Sequence, residues 1–202
     1  MIPRIIHQIW VGPRPAPRQW MDTWRKHHPS WRYITWGDET VFRRAWRNQR
    51  LVNAYRDREE WRGVADVIRY EILHEHGGFM PGADSECLRP VDELFDDAGI
   101  RAYAVAENEE VAPGLLTPLY ASAPRSRFAA AMIEAASGAA AGEPWRCVGN
   151  LLMQNTYETR DWPDVKILPS WTFNPEHYSG TKHQGPEQPY ARQHWGSTLG
   201  RY

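Results

Sequence analysis

Residues 64–90, VADVIRYEILHEHGGFMPGADSECLRP, constrain the chain more than any other segment. Trp61, Ala65, Ile68 and Ile72 recur at steps of four, three and four, the spacing of one buried helical face. Asp66 and Arg69, three apart, share a neighbouring face. Gly77-Gly78 ends the helix, because glycine enters the left-handed cap conformation without steric cost. Phe79-Met80 reads as a short strand, and Pro81-Gly82-Ala83-Asp84-Ser85-Glu86 as the turn that breaks it. An acidic turn directly after a buried strand is where an α/β protein holds a metal ion and a phosphorylated ligand. Taken alone, the same residues also make an ordinary helix with a surface Asp–Arg pair and a glycine stop.

The flanking sequence supplies the layers. Residues 2–11 are rich in β-branched side chains and predict a buried first strand, with Ile5, Ile6, Ile9 and Val11 in the core. His7, Gln8 and Trp10 lie toward its C-terminal end, the end that faces the ligand crevice in open α/β sheets. His7 reads equally well as a satisfied core histidine. A helix over 18–28 and a strand over 31–36 follow, and strand–helix–strand begins a Rossmann-like, parallel sheet. Residues 38–62 are mostly helical, with Asp38 or Thr40 as the N-cap. Later strands are expected over 101–107, where Glu107 and Asn108 end within reach of the crevice, and over 165–169. A strand over 115–122 contains Pro118 and is therefore expected at an edge. Residues 125–136 predict a helix, and 138–142 a small-residue linker expected to be flexible. Near Asn150 a further helix begins, and a helix start facing a crevice holds a phosphate or a sugar hydroxyl.

Composition excludes several classes. A formal net charge of -1 gives no field that favours nucleic acid or membrane. Two cysteines, Cys87 and Cys147, make neither a disulfide framework nor a zinc cluster. His74-Glu75-His76 is not a zinc pair, since residues two apart on a helix point roughly 200° apart. No apolar run approaches the ~20 residues of a membrane span, and residues 1–4 lack signal-peptide organisation, so a cytoplasmic location is expected. At 202 residues a single domain is expected.

The pattern A-D-x-x-R-Y-x-x-L-x-x-x-G-G, followed by the acidic turn, resembles glycosyltransferase family 32 and, more distantly, the clostridial glucosylating toxins. There the segment reads S-D-x-x-R-Y and then G-G-x-Y-x-D-x-D. Here Ala65 stands for the serine, Met80 for the tyrosine and Gly82 for the first aspartate, leaving Asp84. I-H-Q-I-W at 6–10, residues 149–152 and 167–175, and Gln193-His194-Trp195 with Ser197 resemble further family segments in the same order.

The resemblance implies a GT-A fold with a mostly parallel central sheet flanked by helices. It further implies a donor half over about 1–95, and an acceptor half with a closing tail over about 96–202. The implied activity is a metal-dependent, retaining transfer of a sugar from a UDP- or GDP-sugar to a hydroxyl of a glycan, lipid or protein. By the same resemblance Asp84 ligates Mn²⁺ or Mg²⁺, helped by His194 or Ser197. Asp66 and Arg69 hold donor sugar hydroxyls, Arg69 also steadies developing negative charge, and Trp10 stacks on the base. His7, Gln8, Gly78 and Asn150 complete the donor set. With Gly82 in place of an aspartate, a degenerate domain that binds nucleotide sugar or glycan without turnover is the alternative.

Overall fold

A computed structural model describes residues 1–118, 120–196 and 198–200. The strands are β1 (Ile5–Ile9), β2 (Arg32–Trp36), β3 (Gly78–Phe79), β4 (Ser85–Cys87), β5 (Ala102–Asn108), β6 (Ala112–Leu116), β7 (Ala121–Ser122), β8 (Val165–Leu168) and β9 (Ala191–Gln193). The helices are α1 (Arg18–His27), α2 (Asp38–Phe42), α3 (Gln49–Asp57), α4 (Trp61–His76), α5 (Arg127–Ser137), α6 (Pro144–Cys147) and α7 (Asn150–Glu158).

Among the described residues the central sheet has seven strands in the order β2-β1-β3-β7-β5-β6, with β8 also paired to β5. Pairings β1–β2, β1–β3 and β5–β8 are parallel, while β7 and β6 run antiparallel to their neighbours. The sheet is therefore mixed but mostly parallel, as expected of this α/β class. Parallel β1, β3 and β5 share one C-terminal edge, and that shared edge positions the site.

Strand β5 shows how the sheet divides two cores. Ala102 and Ala104 face the side covered by α4 and α5, where small side chains let helices approach closely. Tyr103 and Val105 face the opposite side, among Trp24, Phe79 and Phe173. Alternation of this kind follows from the two-residue period of a strand.

Helix α4 is buried more broadly than its spacing predicts. Ile68 and Ile72 are fully buried, but so are Val64, Val67, Tyr70 and Leu73, because α3, α5 and α6 all pack on it. Trp61 and Ala65 instead border the cleft. Buried Glu71 accepts from the backbone N–H groups of Arg47 (2.8 Å) and Asn48 (3.0 Å), and so satisfies donors at the start of α3. Gly77 ends α4 at φ +64, where a Cβ would lie 2.6 Å from Pro124.

Three local expectations are corrected. Pro118 does not mark an edge strand; it lies between β6 and β7, and β7 sits inside the sheet between β3 and β5. Gly37, not Asp38 or Thr40, caps α2, while the Asp38 carboxylate accepts from Gly12 N–H at 2.9 Å. The small-residue linker is tied down by arginines from α3 and the residue after it. Arg50 donates to the Ala139 carbonyl at 2.7 Å, and Arg58 to those of Ala141 and Gly142.

The tail returns to the body. Strand β9 pairs antiparallel with β4, Ser85 opposite Gln193 and Cys87 opposite Ala191, which carries the tail directly over the acidic turn.

Candidate functional site

A cleft of about 510 Å³ opens at the shared C-terminal edge of β1, β3 and β5. Its lining includes Trp10, Asp66, Arg69, Asp84 and Asn150, five of the residues singled out in the sequence. Helix α4 supplies Asp66 and Arg69, the turn after β3 supplies Asp84, and the start of α7 supplies Asn150. Trp61 joins Trp10 at the cleft, and Gly12 (φ +95) makes that packing possible, since a Cβ there would fall 2.6 Å from the Trp61 ring.

Asp66 is held in an unusual state. Burial pushes its pKa up from 3.8 to about 6, against the opposing pull of Arg69 and Arg62. No described residue donates a hydrogen bond to its carboxylate. Gly149 lies directly against it: a Cβ there would sit 2.9 Å from Oδ2. Arg69, one turn on, donates to the Met80 carbonyl at 3.3 Å and so ties the helix to the turn. Burial also raises the Tyr120 phenol to about 12, which leaves a neutral hydroxyl at the cleft beside Arg69 and Asp84.

Asp84 is differently placed. Gln193 donates its side-chain amide to Oδ1 at 2.6 Å, the Gly196 N–H donates to Oδ2 at 2.9 Å, and the His194 N–H donates to the Asp84 carbonyl at 2.9 Å. The space ahead of Gly82 is also taken, because a Cβ there would meet Asp84 Oδ1 at 3.1 Å and Gln193 Oε1 at 3.2 Å. Gln193 thus occupies the region into which an aspartate at 82 would project.

The structure moves four expected donor or metal residues away from the cleft. His7 is fully buried: its Nε2–H donates to the Gly77 carbonyl at 2.9 Å and its Nδ1 accepts from Trp36 at 3.1 Å. Those partners fix a neutral ring, and burial lowers its pKa to about 4. His7 is a core histidine here. Gln8, also buried, braces the turn from behind by donating to the Gly82 carbonyl at 3.3 Å while accepting from Tyr33. Gly78 is where β1 and β3 touch, since a Cβ would lie 2.6 Å from the Ile5 carbonyl. The His194 ring stacks on Trp20 (centroids 4.2 Å apart) and meets Glu86 at 3.1 Å, so it does not join Asp84. Ser197, the remaining metal expectation, lies outside the described residues. Among the described residues no three His, Cys, Asp or Glu side chains gather as a metal site.

Several lining residues were given no site role in the sequence. Glu107, Asn174, Tyr120, Gln193 and Trp195 all border the cleft. Glu107 had a signal, a lone charge closing the apolar run AYAVA. Asn174, Gln193 and Trp195 lie in segments that resemble the family, whereas Tyr120 had no signal.

Residues 17–100 match the family described as a glycosyltransferase sugar-binding region containing a DXD motif. Inositol phosphoceramide mannosyltransferase 1 of Schizosaccharomyces pombe is 30% identical over 106 residues, covering 48% of this chain and 32% of that protein. An uncharacterised glycosyltransferase of Acanthamoeba polyphaga mimivirus is 33% identical over 108 residues, covering 47% of this chain and 40% of its own length. The chain thus spans a third or so of the curated relatives it matches first. Among solved structures, the PaToxG glycosyltransferase superposes with a TM-score of 0.60 at 12% identity, over 77% of this chain and 68% of that one. Residues 17–100 are thus similar in sequence to a DXD-containing glycosyltransferase sugar-binding region, and the fold over most of the chain is similar to that of a solved glycosyltransferase.

Proposed function

We propose that the protein transfers a hexose from a UDP- or GDP-sugar to a hydroxyl of a glycan, lipid or protein acceptor. One observation carries the proposal. The α4 pair Asp66–Arg69 faces an open cleft at the C-terminal strand edge, with one carboxylate raised toward neutrality and receiving no hydrogen bond from a described residue. A half-buried carboxylate drawn out of bulk water is costly unless a ligand supplies donors, and sugar hydroxyls are such donors.

In the reaction the acceptor oxygen bonds to the anomeric carbon as the bond to the diphosphate breaks, and the acceptor proton leaves with the phosphate side. Arg69 stands where it steadies charge on the leaving phosphate, and its tie to Met80 holds it in place beforehand. Trp10 and Trp61 offer flat faces for the base. Retention at the anomeric carbon belongs to the proposal on the strength of the family resemblance.

The donor set bears on the cation. The described residues do not build a three-ligand centre, and both Asp84 oxygens already accept hydrogen bonds from the tail. A hard cation carried by a diphosphate needs as few as one protein carboxylate, and Asp84 is the residue assigned to give it in this proposal. Bound Mn²⁺ or Mg²⁺ would spread the charge that builds on the phosphates. Mn²⁺ alone should therefore leave the melting temperature unchanged, and nucleoside diphosphate should be required for any response.

Incubation with a panel of UDP- and GDP-hexoses, with chromatography of released diphosphate and NMR of the product anomer, tests the proposal. Release above the no-enzyme rate from at least one donor is expected; none from any donor contradicts it. The engagement of Asp84 by the tail favours a second reading, nucleotide-sugar binding without turnover. Saturable calorimetric binding with no product would establish that one instead.

A further inference from the structure

Three segments converge on a second polar wall that the acidic turn does not include. Glu107 ends β5 at the cleft with 8% of its surface exposed. Asn150 at the start of α7 donates to its Oε2. His177 meets its Oε1 at 3.4 Å. The His177 Nδ1 accepts from the Ser179 N–H, so Nε2 carries the proton and the ring donates to Glu107. Two donors from separate segments thus fix one carboxylate's orientation. Asn174 lines the same cleft at 2% exposure, and its Oδ1 has no hydrogen-bond partner among the described residues.

Burying this wall without a ligand is expensive. An amide carbonyl removed from water with nothing to accept from costs free energy, and a held carboxylate keeps lone pairs beyond the two already used. Both groups are acceptors. A ligand that satisfies them must bring hydrogen-bond donors, carry no negative charge at that point, and be small enough to leave Trp10 and Arg69 for the nucleotide.

We infer that Glu107 and Asn174 form a subsite that accepts hydrogen bonds from the free hydroxyls of a neutral pyranose. Asn150 and His177 are positioning residues that hold Glu107 for it. The inference rests on the proposed nucleotide-sugar function and names the part of the donor that this wall reads. Hydroxyl recognition here comes from acceptors alone, so a ring lacking those hydroxyls loses binding while the nucleotide is held as before.

Calorimetry with UDP-glucose and GDP-mannose beside UDP and GDP tests this in the intact protein. In the wild type one sugar nucleotide should bind more tightly than its own diphosphate. Glu107→Gln should reduce that sugar increment by about tenfold, the value of a hydrogen bond to a charged group, while leaving diphosphate affinity unchanged. Asn174→Ser should reduce it by a smaller factor, and it decides the matter by the same criterion if Glu107→Gln fails to melt cooperatively. A retained sugar increment in the folded variant overturns the subsite yet leaves the proposed function standing. Equal loss of diphosphate and sugar-nucleotide affinity also overturns it, as that is the mark of a purely structural role. A wild type that binds none of the four ligands removes the proposed function itself.

Discussion

Asp66 and Asp84 border the same cleft, yet the fold treats them in opposite ways. Asp84 has a donor on each carboxylate oxygen, both from the returning tail. Asp66 receives none from a described residue, and burial holds its pKa near 6. A satisfied carboxylate holds structure together; an unsatisfied one beside an opening is kept for a ligand at some cost to stability. By that criterion Asp84 also clasps turn to tail, whatever it gives a cation, and the proposed sugar recognition rests on the helix and on Glu107 and Asn174.

The contrast breaks first at Arg69. If its guanidinium acts on the leaving phosphate, Arg69→Ala should lower the transfer rate by about 10²–10³, the usual cost of removing a preorganised charge-stabilising donor. Far-UV circular dichroism should be unchanged. A loss below about threefold would put the chemistry elsewhere. Gly149→Ala is the next largest effect, because the added Cβ would sit 2.9 Å from both Asp66 Oδ2 and the Trp145 Cα. Overpacking there should destabilise by about 1–3 kcal/mol in urea titrations and weaken sugar-nucleotide binding along with it. Full stability and full binding would show that α7 does not press on Asp66.

Asp84→Asn sharpens the other half of the comparison. An amide offers one acceptor oxygen where two donors converge, so one tail bond is lost, at about 1 kcal/mol. Limited proteolysis within 191–200 should speed up. An unchanged digestion rate would mean that Asp84 is not the clasp.

Asp66→Asn carries the smallest effect and the most telling sign. A carboxylate whose folded pKa lies above its ordinary 3.8 favours the fold at low pH and penalises it as pH rises through about 6. At pH 8 the variant should therefore melt ~3 °C higher, the shift that about 1 kcal/mol gives in a chain of this size, while binding sugar nucleotide more weakly. Wild-type binding should fall as pH drops below about 6, and the variant should lack that acid limb. Lower stability together with weaker binding would mean that the carboxylate is structural after all.

Much of this was legible along the chain where the cause is local. The helix over α4, the Gly77 stop and the burial of Ile68 and Ile72 depend on neighbours in sequence and stand as read, whereas Trp61 and Ala65 turned to the cleft. His7 was legible only as two possibilities. Its ring points between β1 and α4, and the Trp36 and Gly77 partners that settle its place come from 29 and 70 residues away. His177 reaches Glu107 only because the segment after β8 folds back, a pairing at a separation of 70 residues that no short motif encodes. Gln193 shows the converse. Read only as part of a tail segment, it lies in space against the turn, at Gly82.

Hydrogen–deuterium exchange of the intact protein, with and without saturating UDP-glucose or GDP-mannose, tests the central claim most directly. The account predicts protection, with at least one of the two, confined to the first turns of α4, to residues 80–86, to the start of α7 and to residues 191–198. Unchanged exchange with both nucleotides, or protection confined to α5 and the far side of the sheet, would contradict it.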